Sequence, residues 1–493
     1  MPGILKSSLI SVAATIVSLA AGFTCNIIAG RLLGPAGSGT VAFAIWIATS
    51  ASAVADLGLP QTLLRNTGAA SGSGEAWKGL VHAAFRSFAR SVGIVGTVIL
   101  TYALWLGRLD MEHGLVWLVT GALFIAYAFS TFSTAVARGR GRFGETATNT
   151  VIGGMFQIPL VFLGAWLWGP AGALIGHVAR YLPQAARTRP YVRSPIRPLD
   201  RDMRAYGRNM WLSDLIEIMV LSRIEFLFLG LFFSTAQIGY FAAGLTLAGL
   251  IEQVTLQISP ALVVGFAEAH ARDDRETLAL AYHRVVKMVG LIILPVSLGG
   301  AAIIPALLPF AFGPLFEPAV PAAVILMASV APAALCVIPW GLIGAAGYSG
   351  QILRVQVASG VITILLLLAI VPWGGLEGAA WSRAGVGVGT LALLLWIARQ
   401  RVGLTLPWAA IARVALAAAA CAATAGCAVH ALPPLPGLAL GVTGGALVYL
   451  LALRLLGVVG SEETELLLEA LEDRLPRPAR PLFAGVLGFI APR

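Results

Sequence analysis

Four ionisable side chains interrupt an apolar stretch between residues 209 and 233, and these residues could bind a charged ligand. They are Asp214, Glu217, Arg223 and Glu225. A charge near the centre of a membrane-spanning helix costs about 2.5 to 3.5 kcal/mol, so such residues usually face a cavity or a partner. The stretch is therefore a candidate binding site.

Spacing separates the arginine of this stretch from both glutamates. Glu217 and Glu225 are eight residues apart and would share one face of a regular helix, whereas Arg223 lies six and two residues from them. Helical side chains meet when they are three or four residues apart. Arg223 is thus expected to pair with another helix, for example with Glu252, or to bind an anionic ligand such as a diphosphate.

Three polar residues in other apolar stretches are further candidates for substrate binding. Arg383 stands alone in its stretch and has the same two interpretations as Arg223, an ion pair or a ligand contact. Arg31, at the end of the first stretch, is either an interfacial anchor or a ligand contact. Asn26, like Gln157, could bind sugar hydroxyls or join neighbouring helices by a hydrogen bond.

The remaining polar motifs indicate structure rather than chemistry. Asp56 begins a "DLGL" turn and is expected to fix that turn, and the cluster of Asp110, Glu112 and His113 is expected to be a solvated turn. "GRGRFG" at 139–144 fits G-x-G-x-x-G but lies in a basic loop with no preceding strand. The sequence contains no nucleotide-binding P-loop, zinc-protease or serine-hydrolase motif. We therefore expect a transporter and not an enzyme, and we expect it to use no cofactor or metal.

Lipid is the main solvent of this chain. Hydrophobic residues make up 58% of the sequence and charged residues only 11%, and the mean hydropathy is +0.86. Soluble domains carry roughly 25% charge. Apolar runs of about twenty residues predict an all-α polytopic membrane protein with about fourteen transmembrane helices. They lie near 8–30, 36–62, 84–107, 114–137, 146–168, 170–187, 209–233, 236–262, 285–311, 318–346, 350–372, 375–398, 408–430 and 436–457.

Basic residues segregate to one side of these helices. Of the 33 Lys and Arg residues, 29 fall in alternate loops or at the adjoining helix ends, and the opposite loops hold only Arg31 and Arg108. The positive-inside rule then places both termini in the cytoplasm, in a bacterial inner membrane. The net charge of +10 reports this orientation and contact with anionic membrane lipids, and we expect no nucleic-acid partner.

Two similar segments suggest an internal duplication. "LGPAGSGTVAFA" from Leu33 aligns with "FSTAQIGYFAAG" from Phe233, which pairs Gly39 with Gly239, and "WGPAGALIG" from Trp168 is similar to "WGGLEGAAW" from Trp373. Two six-helix halves in the same orientation would place a substrate site between them. The predicted divisions are 1–190, a basic cytoplasmic linker 191–208, 209–400, two further helices in 401–457, and a cytoplasmic tail 458–493 with an amphipathic helix.

The segments "AGRLLGPAGSGTVAFA", "DLGLPQTLLRN", "QIGYFAAGLTLAGLIEQVTLQISPALVVGFAEA" and "GGLEGAAWSRAGVGVG" resemble a known family. It comprises the O-antigen and exopolysaccharide repeat-unit (Wzx-like) flippases of the multidrug/oligosaccharidyl-lipid/polysaccharide exporter superfamily. The resemblance covers roughly residues 10 to 400. It implies alternating access and an undecaprenyl-diphosphate-linked oligosaccharide as substrate, with a polysaccharide polymerase and export machinery as possible partners.

Two alternatives within this superfamily remain open. Lipid II flippases carry a first helix of the form S-R-x-x-G-F-x-R-D, whereas this chain has "SLAAGFTCN" at 18–26, without the two arginines and the aspartate. That departure favours a polysaccharide repeat unit over a peptidoglycan precursor. A multidrug antiporter would instead use carboxylates such as Glu217, Glu225 and Glu252, although the acidic first-helix ion site of such relatives is also absent here.

Overall fold

The chain is all-helical wherever the computed structural model describes it, which is over residues 2–69, 76–188, 199–256, 262, 265–266 and 275–458. The described part contains no strand. Its α-helices are α1 (Pro2–Asp56), α2 (Leu59–Ala69), α3 (Ala76–Gly107), α4 (Met111–Gly139), α5 (Phe143–Ala185), α6 (Arg201–Leu215), α7 (Glu225–Phe232), α8 (Thr235–Leu256), α9 (Arg275–Phe312), α10 (Val320–Leu335), α11 (Val337–Ala345), α12 (Ser349–Arg401), α13 (Trp408–Ala431) and α14 (Pro434–Leu455).

Three of these helices contain a glycine break where the sequence predicts a boundary between two helices. Gly34 in α1, Gly169 in α5 and Gly375 in α12 have φ values of 66°, 59° and 53°. Only glycine adopts this left-handed region without strain. A Cβ on Gly164 would overlap the backbone of Gly172, eight residues later, so α5 folds back on itself at its break.

Long apolar helices fill much of the described part of the chain. Nine helical stretches there are long and apolar enough to cross a membrane, and three of them contain the glycine breaks. Dividing these three gives twelve segments, and neither α8 nor Arg201–Phe232 is among the nine stretches, so the predicted number of about fourteen stays a prediction. The protein is therefore a multi-pass, all-helical membrane protein, and the crossing of the bilayer by each of these segments stays a prediction.

The prediction of one regular helix over 209–233 was wrong. A π-helical turn occupies Ile216–Ser222, and Arg223 then leaves the helix with φ −154° and ψ 32° before α7 begins. A π-turn contains more residues per turn than an α-helix. The face that Glu217 and Glu225 were expected to share is therefore not that of one continuous α-helix.

The second predicted helix also ends earlier than expected. It was predicted to run to residue 62, but α1 ends at Asp56, and Leu57 and Gly58 follow with φ values of 54° and 69°. Asp56 accepts a hydrogen bond from the Gly58 amide at 2.8 Å, as expected for a residue that fixes the turn. Gly58 also packs so closely on Gly207 of α6 that a Cβ there would overlap its carbonyl oxygen.

The described residues form two compact units. One comprises the described parts of Met1–Thr246 and Gln356–Ala379, and the other comprises those of Leu247–Val355 and Ala380–Arg493. The first unit has an aromatic core in which the rings of Phe88 and Phe132 lie 4.8 Å apart. In the second unit, the Tyr449 hydroxyl donates to the Leu291 carbonyl at 2.7 Å and joins α14 to α9.

These units differ from the predicted divisions of the chain, which remain predictions. Residues 356–379, the first arm of α12, belong to the first unit although the sequence assigns them to the second half. Residues 191–198 of the predicted linker and the tail beyond residue 458 lie outside the described residues.

Gly39 and Gly239, which the duplication aligns with each other, are in direct contact. A Cβ on Gly39 would overlap the Thr235 carbonyl oxygen, and a Cβ on Gly239 would overlap the Pro35 carbonyl oxygen. Both glycines lie in the first unit. The contact joins α1 to α8 within the first unit, and the predicted duplication stays a prediction.

Candidate functional site

A polar cavity of about 510 Å³ lies within the first unit. It is lined by residues of α1, α2, α4, α5, α6 and the π-helical turn. The lining combines charged groups with hydroxyls, amides and two tyrosine rings, which is unusual in a membrane-spanning region because unpaired polar groups are costly there. The polar lining residues are Ser18, Thr49, Ser52, Asp56, Gln61, Tyr127, Ser130, Thr131, Thr134, Arg138, Asn149, Thr150, Arg180, Tyr181, Gln184, Asp214 and Glu217.

Arg180 is the cationic residue at the centre of one wall. It donates to the Ser18 hydroxyl of α1 and, at 3.3 Å, to Oε1 of Gln157 in the first arm of α5. Its guanidinium also lies 5.5 Å from the ring centroid of Tyr181. A guanidinium has five N–H donors, so these contacts leave donors for a ligand. Arg138 of α4 contributes a second guanidinium to the lining.

Small residues let the backbone around Arg180 pack closely. A Cβ on Gly153 would overlap the Arg180 carbonyl oxygen, and a Cβ on Gly22 would lie 3.7 Å from the Arg180 guanidinium. The two arms of α5 and the first arm of α1 can approach closely because these positions carry no side chain. The position of the arginine is thus fixed by its backbone packing as well as by its hydrogen bonds.

Carboxyl groups cluster on another part of the lining. Asp214 of α6 accepts a hydrogen bond from Gln61 of α2 at 3.2 Å and interacts electrostatically with Asp56. Glu217 accepts a hydrogen bond at 3.3 Å from Gln356, whose own Oε1 accepts from Ser213 at 3.0 Å. The cavity therefore offers guanidinium and carboxyl groups on separate elements.

Buried amides connect α4 to the two arms of α5. Asn149 donates to Gln184 at 2.8 Å, and Gln184 donates to the Ser133 hydroxyl at 2.9 Å. The rings of Tyr127 and Tyr181 meet edge to face with centroids 5.0 Å apart. Satisfied polar networks of this kind hold side chains in fixed positions, which preorganises the cavity wall.

The model of a family described as "Polysaccharide biosynthesis protein" matches residues 28–321. That range covers more than half of the chain. The protein belongs to this polysaccharide biosynthesis family. A comparison with curated proteins found no match.

Several solved membrane transporters share this fold. The lipid II flippase MurJ in an inward-closed conformation matches with a TM-score of 0.72 and 12% identity, over 90% of this chain and 98% of that one. An inward-facing multidrug resistance transporter of the MATE family matches at 0.66 and 14%, over 80% and 98%. A MOP-superfamily transporter from Pyrococcus furiosus matches at 0.56 and 16%, over 81% and 95%. At these identities the likeness shows the fold alone.

Of the residues predicted to bind substrate in this polysaccharide biosynthesis protein, Glu217 lines the cavity. Asn26 does not: its amide donates to the Thr246 hydroxyl at 3.1 Å and joins α1 to α8. Glu225 is buried at the start of α7, with 2% of its surface exposed. Arg223 is exposed, and its guanidinium lies 5.8 Å from the centroid of the Phe226 ring.

The remaining three predicted residues lie elsewhere. Arg383 and Glu252 form an ion pair in the second unit, with 3.8 Å between nitrogen and oxygen. Glu252 thus has an ion-pair partner, and its suggested pairing with Arg223 stays a prediction. Arg31 is exposed on α1 near its glycine break. A role of these residues in binding stays a prediction.

Sequence reasoning missed Arg180 as a cavity residue because it was grouped with the cytoplasmic linker arginines. One signal was available: Arg180 lies inside the apolar stretch predicted at 170–187, three residues after His177. Gln157 was singled out as polar, and the structure shows that it bonds both His177 and Arg180.

The other structural expectations can also be compared with the fold. Asp110 caps α4 and is exposed, so the solvated turn is confirmed; hydrogen bonds from the backbone and ring of His113 hold the pKa of this carboxyl below its ordinary value. All four cysteines are unpaired. Cys25 and Cys421 are buried, Cys336 is half-buried and Cys427 is exposed on α13.

Proposed function

We propose that this protein translocates an undecaprenyl-diphosphate-linked oligosaccharide repeat unit from the cytoplasmic to the outer leaflet, for cell-surface or exopolysaccharide assembly. The observation that carries the proposal is the polar cavity, which combines guanidinium groups with amides, hydroxyls and tyrosine rings inside a membrane-spanning unit. Membership of a polysaccharide biosynthesis family and the fold shared with a lipid II flippase support the same class of substrate.

The proposed headgroup contains a diphosphate and sugars, and the cavity lining has groups that could bind each of them. The diphosphate would bind Arg180, with Arg138 as a second donor, because planar guanidinium groups match phosphate oxygens in geometry and charge. Sugar hydroxyls both donate and accept hydrogen bonds, so they would pair with amides such as Gln61 and Gln184 and with the cavity carboxylates. The prenyl chain would remain in the surrounding lipid.

The cavity residues favour loading from the cytoplasmic side. They lie toward the ends of segments that the charge distribution places inside, close to the exposed Arg138 and the basic turn at Arg140 and Arg142. Alternating access between two six-helix halves would then carry the headgroup outward in a bacterial inner membrane, and a polysaccharide polymerase and export machinery would use the product. The sequence contains no nucleotide-binding P-loop, and the proposed driving force is an ion gradient, the membrane potential or consumption of the product.

A translocation assay tests the proposal and its central residue. Proteoliposomes would receive a fluorescent undecaprenyl-diphosphate oligosaccharide, and its appearance in the opposite leaflet would be followed. Removal of a hydrogen bond to a charged group costs about 1.5 to 3 kcal/mol, so we expect Arg180→Ala to reduce transport about 10- to 150-fold. Arg108→Ala, which removes an exposed arginine far from the cavity in sequence, is the matched control and should retain transport.

Ion-coupled export of organic cations is the second candidate function. It is favoured by the three cavity carboxyl groups, Asp56, Asp214 and Glu217. In that case the vesicles would move a cationic dye instead of the lipid, and Asp214→Asn would abolish dye transport while Arg180→Ala would not. Lipid transport that persists unchanged in Arg180→Ala would contradict the proposed diphosphate site.

Lipid II transport is a further alternative that the same assay separates. The fold is shared with MurJ, but the "SLAAGFTCN" segment lacks the charged residues that the lipid II flippase pattern carries. We therefore expect excess unlabelled lipid II to compete poorly with the labelled oligosaccharide lipid. Strong competition would favour the peptidoglycan precursor.

A further inference from the structure

His177 is a buried histidine that is linked through Gln157 to Arg180 in the cavity lining. Only 7% of its surface is exposed, and its Nδ1 lies 3.1 Å from Nε2 of Gln157. Oε1 of the same Gln157 accepts a hydrogen bond from Arg180 at 3.3 Å. These three residues therefore form a chain from the interior of α5 to the cavity.

The hydrogen bonds determine which nitrogen of His177 carries the proton. Arg180 can only donate, so Gln157 must turn its oxygen toward Arg180 and its NH₂ group toward His177. His177 then accepts at Nδ1 and holds its proton on Nε2. The described residues provide no hydrogen-bond partner for that Nε2.

A second proton on His177 would exchange the donor and acceptor roles in its hydrogen bond with Gln157. Imidazolium donates from both nitrogens, so Nδ1–H would face the Gln157 NH₂ group and force the amide to turn over. The Gln157 NH₂ group would then face Arg180, and two donors cannot bond each other. The Arg180–Gln157 hydrogen bond would be lost, which frees that guanidinium donor for an anion in the cavity.

The charge of Arg180 opposes a second proton on His177, as the hydrogen bonds do. Arg180 is the charged group that acts on His177 among the described residues, and like charges oppose each other. Arg180 also interacts electrostatically with Cys25 of α1 and with Tyr127 of α4. Tyr127 in turn interacts with Tyr181 of α5 and with Asp56. A bound anion would offset the charge of Arg180 and so weaken its opposition to a second proton on His177.

We infer that His177 is a proton-binding site that fills when an anionic headgroup engages Arg180, with Gln157 as the amide that changes orientation between the two states. This inference rests on the proposed function, because the anion is the diphosphate of the transported lipid. The bound proton would compensate part of the diphosphate charge. By linkage, the proton and the anion each increase the affinity of the site for the other.

Proton uptake during ligand binding tests the inference. The probe is undecaprenyl-diphosphate-N-acetylglucosamine, whose diphosphate is esterified at both ends and has no titration near neutral pH, added to the intact protein in nanodiscs. Calorimetry between pH 5.5 and 8, in buffers of different ionisation enthalpy, counts the protons taken up. We expect wild-type uptake to approach about one proton per bound lipid, with Kd rising by up to about tenfold per pH unit.

Variants identify the group that takes up the proton. His177→Gln should bind with little pH dependence and no proton uptake, whereas His113→Gln, which alters an exposed histidine outside the cavity, should behave like the wild type. Absence of proton uptake by the wild type, or unchanged uptake by folded His177→Gln, overturns the inference and leaves the proposed function standing. Failure of the wild type to bind the probe at any pH overturns the proposed function and the inference with it.

Discussion

Arg383 and Glu252 illustrate how the same residue types serve different purposes in different surroundings. Their side chains are 21% and 28% exposed and lie 3.8 Å apart, so each charge has an opposite charge close by. Arg180, by contrast, is held by a neutral hydroxyl and a neutral amide, and no carboxylate among the described residues forms an ion pair with it. An uncompensated guanidinium is the better anion ligand.

We expect the Arg383–Glu252 pair to stabilise the fold more than it supports transport. Arg383→Ala should lower thermal stability because it leaves Glu252 unpaired, and the double variant Arg383→Ala/Glu252→Ala should recover part of the loss. The coupling free energy from a double-mutant cycle is expected to be about 0.5 to 3 kcal/mol. A stable double variant that no longer transports would show instead that Arg383 binds substrate.

Residue types and spacing predicted part of this picture. Glu217 could be recognised as a charged residue in an apolar stretch, and it lines the cavity. The partner of Arg383 could not be recognised in this way, because Glu252 is 131 positions away and their contact depends on tertiary packing. Helical spacing also failed around Arg223, since a π-turn has no clear signature in the sequence.

At the scale of elements, glycine determines where the long helices turn and where they touch. The breaks at Gly34 and Gly169 are each followed by proline, at Pro35 and Pro170. Proline lacks a backbone N–H donor and disfavours helical geometry in the residue before it, so the dipeptide is a readable signal. The Gly39–Gly239 contact could not be predicted from the sequence, because the alignment paired the two residues without indicating that they touch.

Alanine substitutions should separate contact glycines from ordinary ones. Gly39→Ala and Gly239→Ala would each place a Cβ against a backbone carbonyl, so both should reduce folded yield and transport. Gly93→Ala in α3 is the matched control, because a Cβ there meets no atom within 4 Å. It should be neutral or stabilising by up to about 1 kcal/mol, since alanine favours the helix. Equal behaviour of the three variants in a thermal-shift assay would contradict the close contact.

At the scale of the whole molecule, hydropathy and charge predicted the fold class, and the protein is all-helical and multi-pass. Hydropathy works because each backbone polar group in lipid must be bonded within its own helix, which leaves long apolar segments in the sequence. The division into units was not predictable in the same way. It depends on which helices pack together, and residues 356–379 pack with the first unit although they are distant in sequence.

Cysteine labelling tests the predicted orientation. In a variant whose four cysteines are replaced by alanine, Arg108→Cys and Arg399→Cys would each present one thiol at an exposed position. A membrane-impermeant maleimide should label position 108 in spheroplasts but label position 399 only after lysis. The reverse pattern would place the cavity residues near the outer leaflet and contradict loading from the cytoplasm.

The glycine breaks at Gly34, Gly169 and Gly375 also limit where antibodies and proteases can bind the chain. On the predicted orientation they face outward, and each joins two helical arms with almost no intervening loop. Antibodies and proteases need a few residues of extended, accessible chain, which such turns do not supply. An epitope for imaging or purification is therefore better inserted on the opposite side, for example at the turn around Gly141, where a side chain would meet no neighbouring atom within 4 Å.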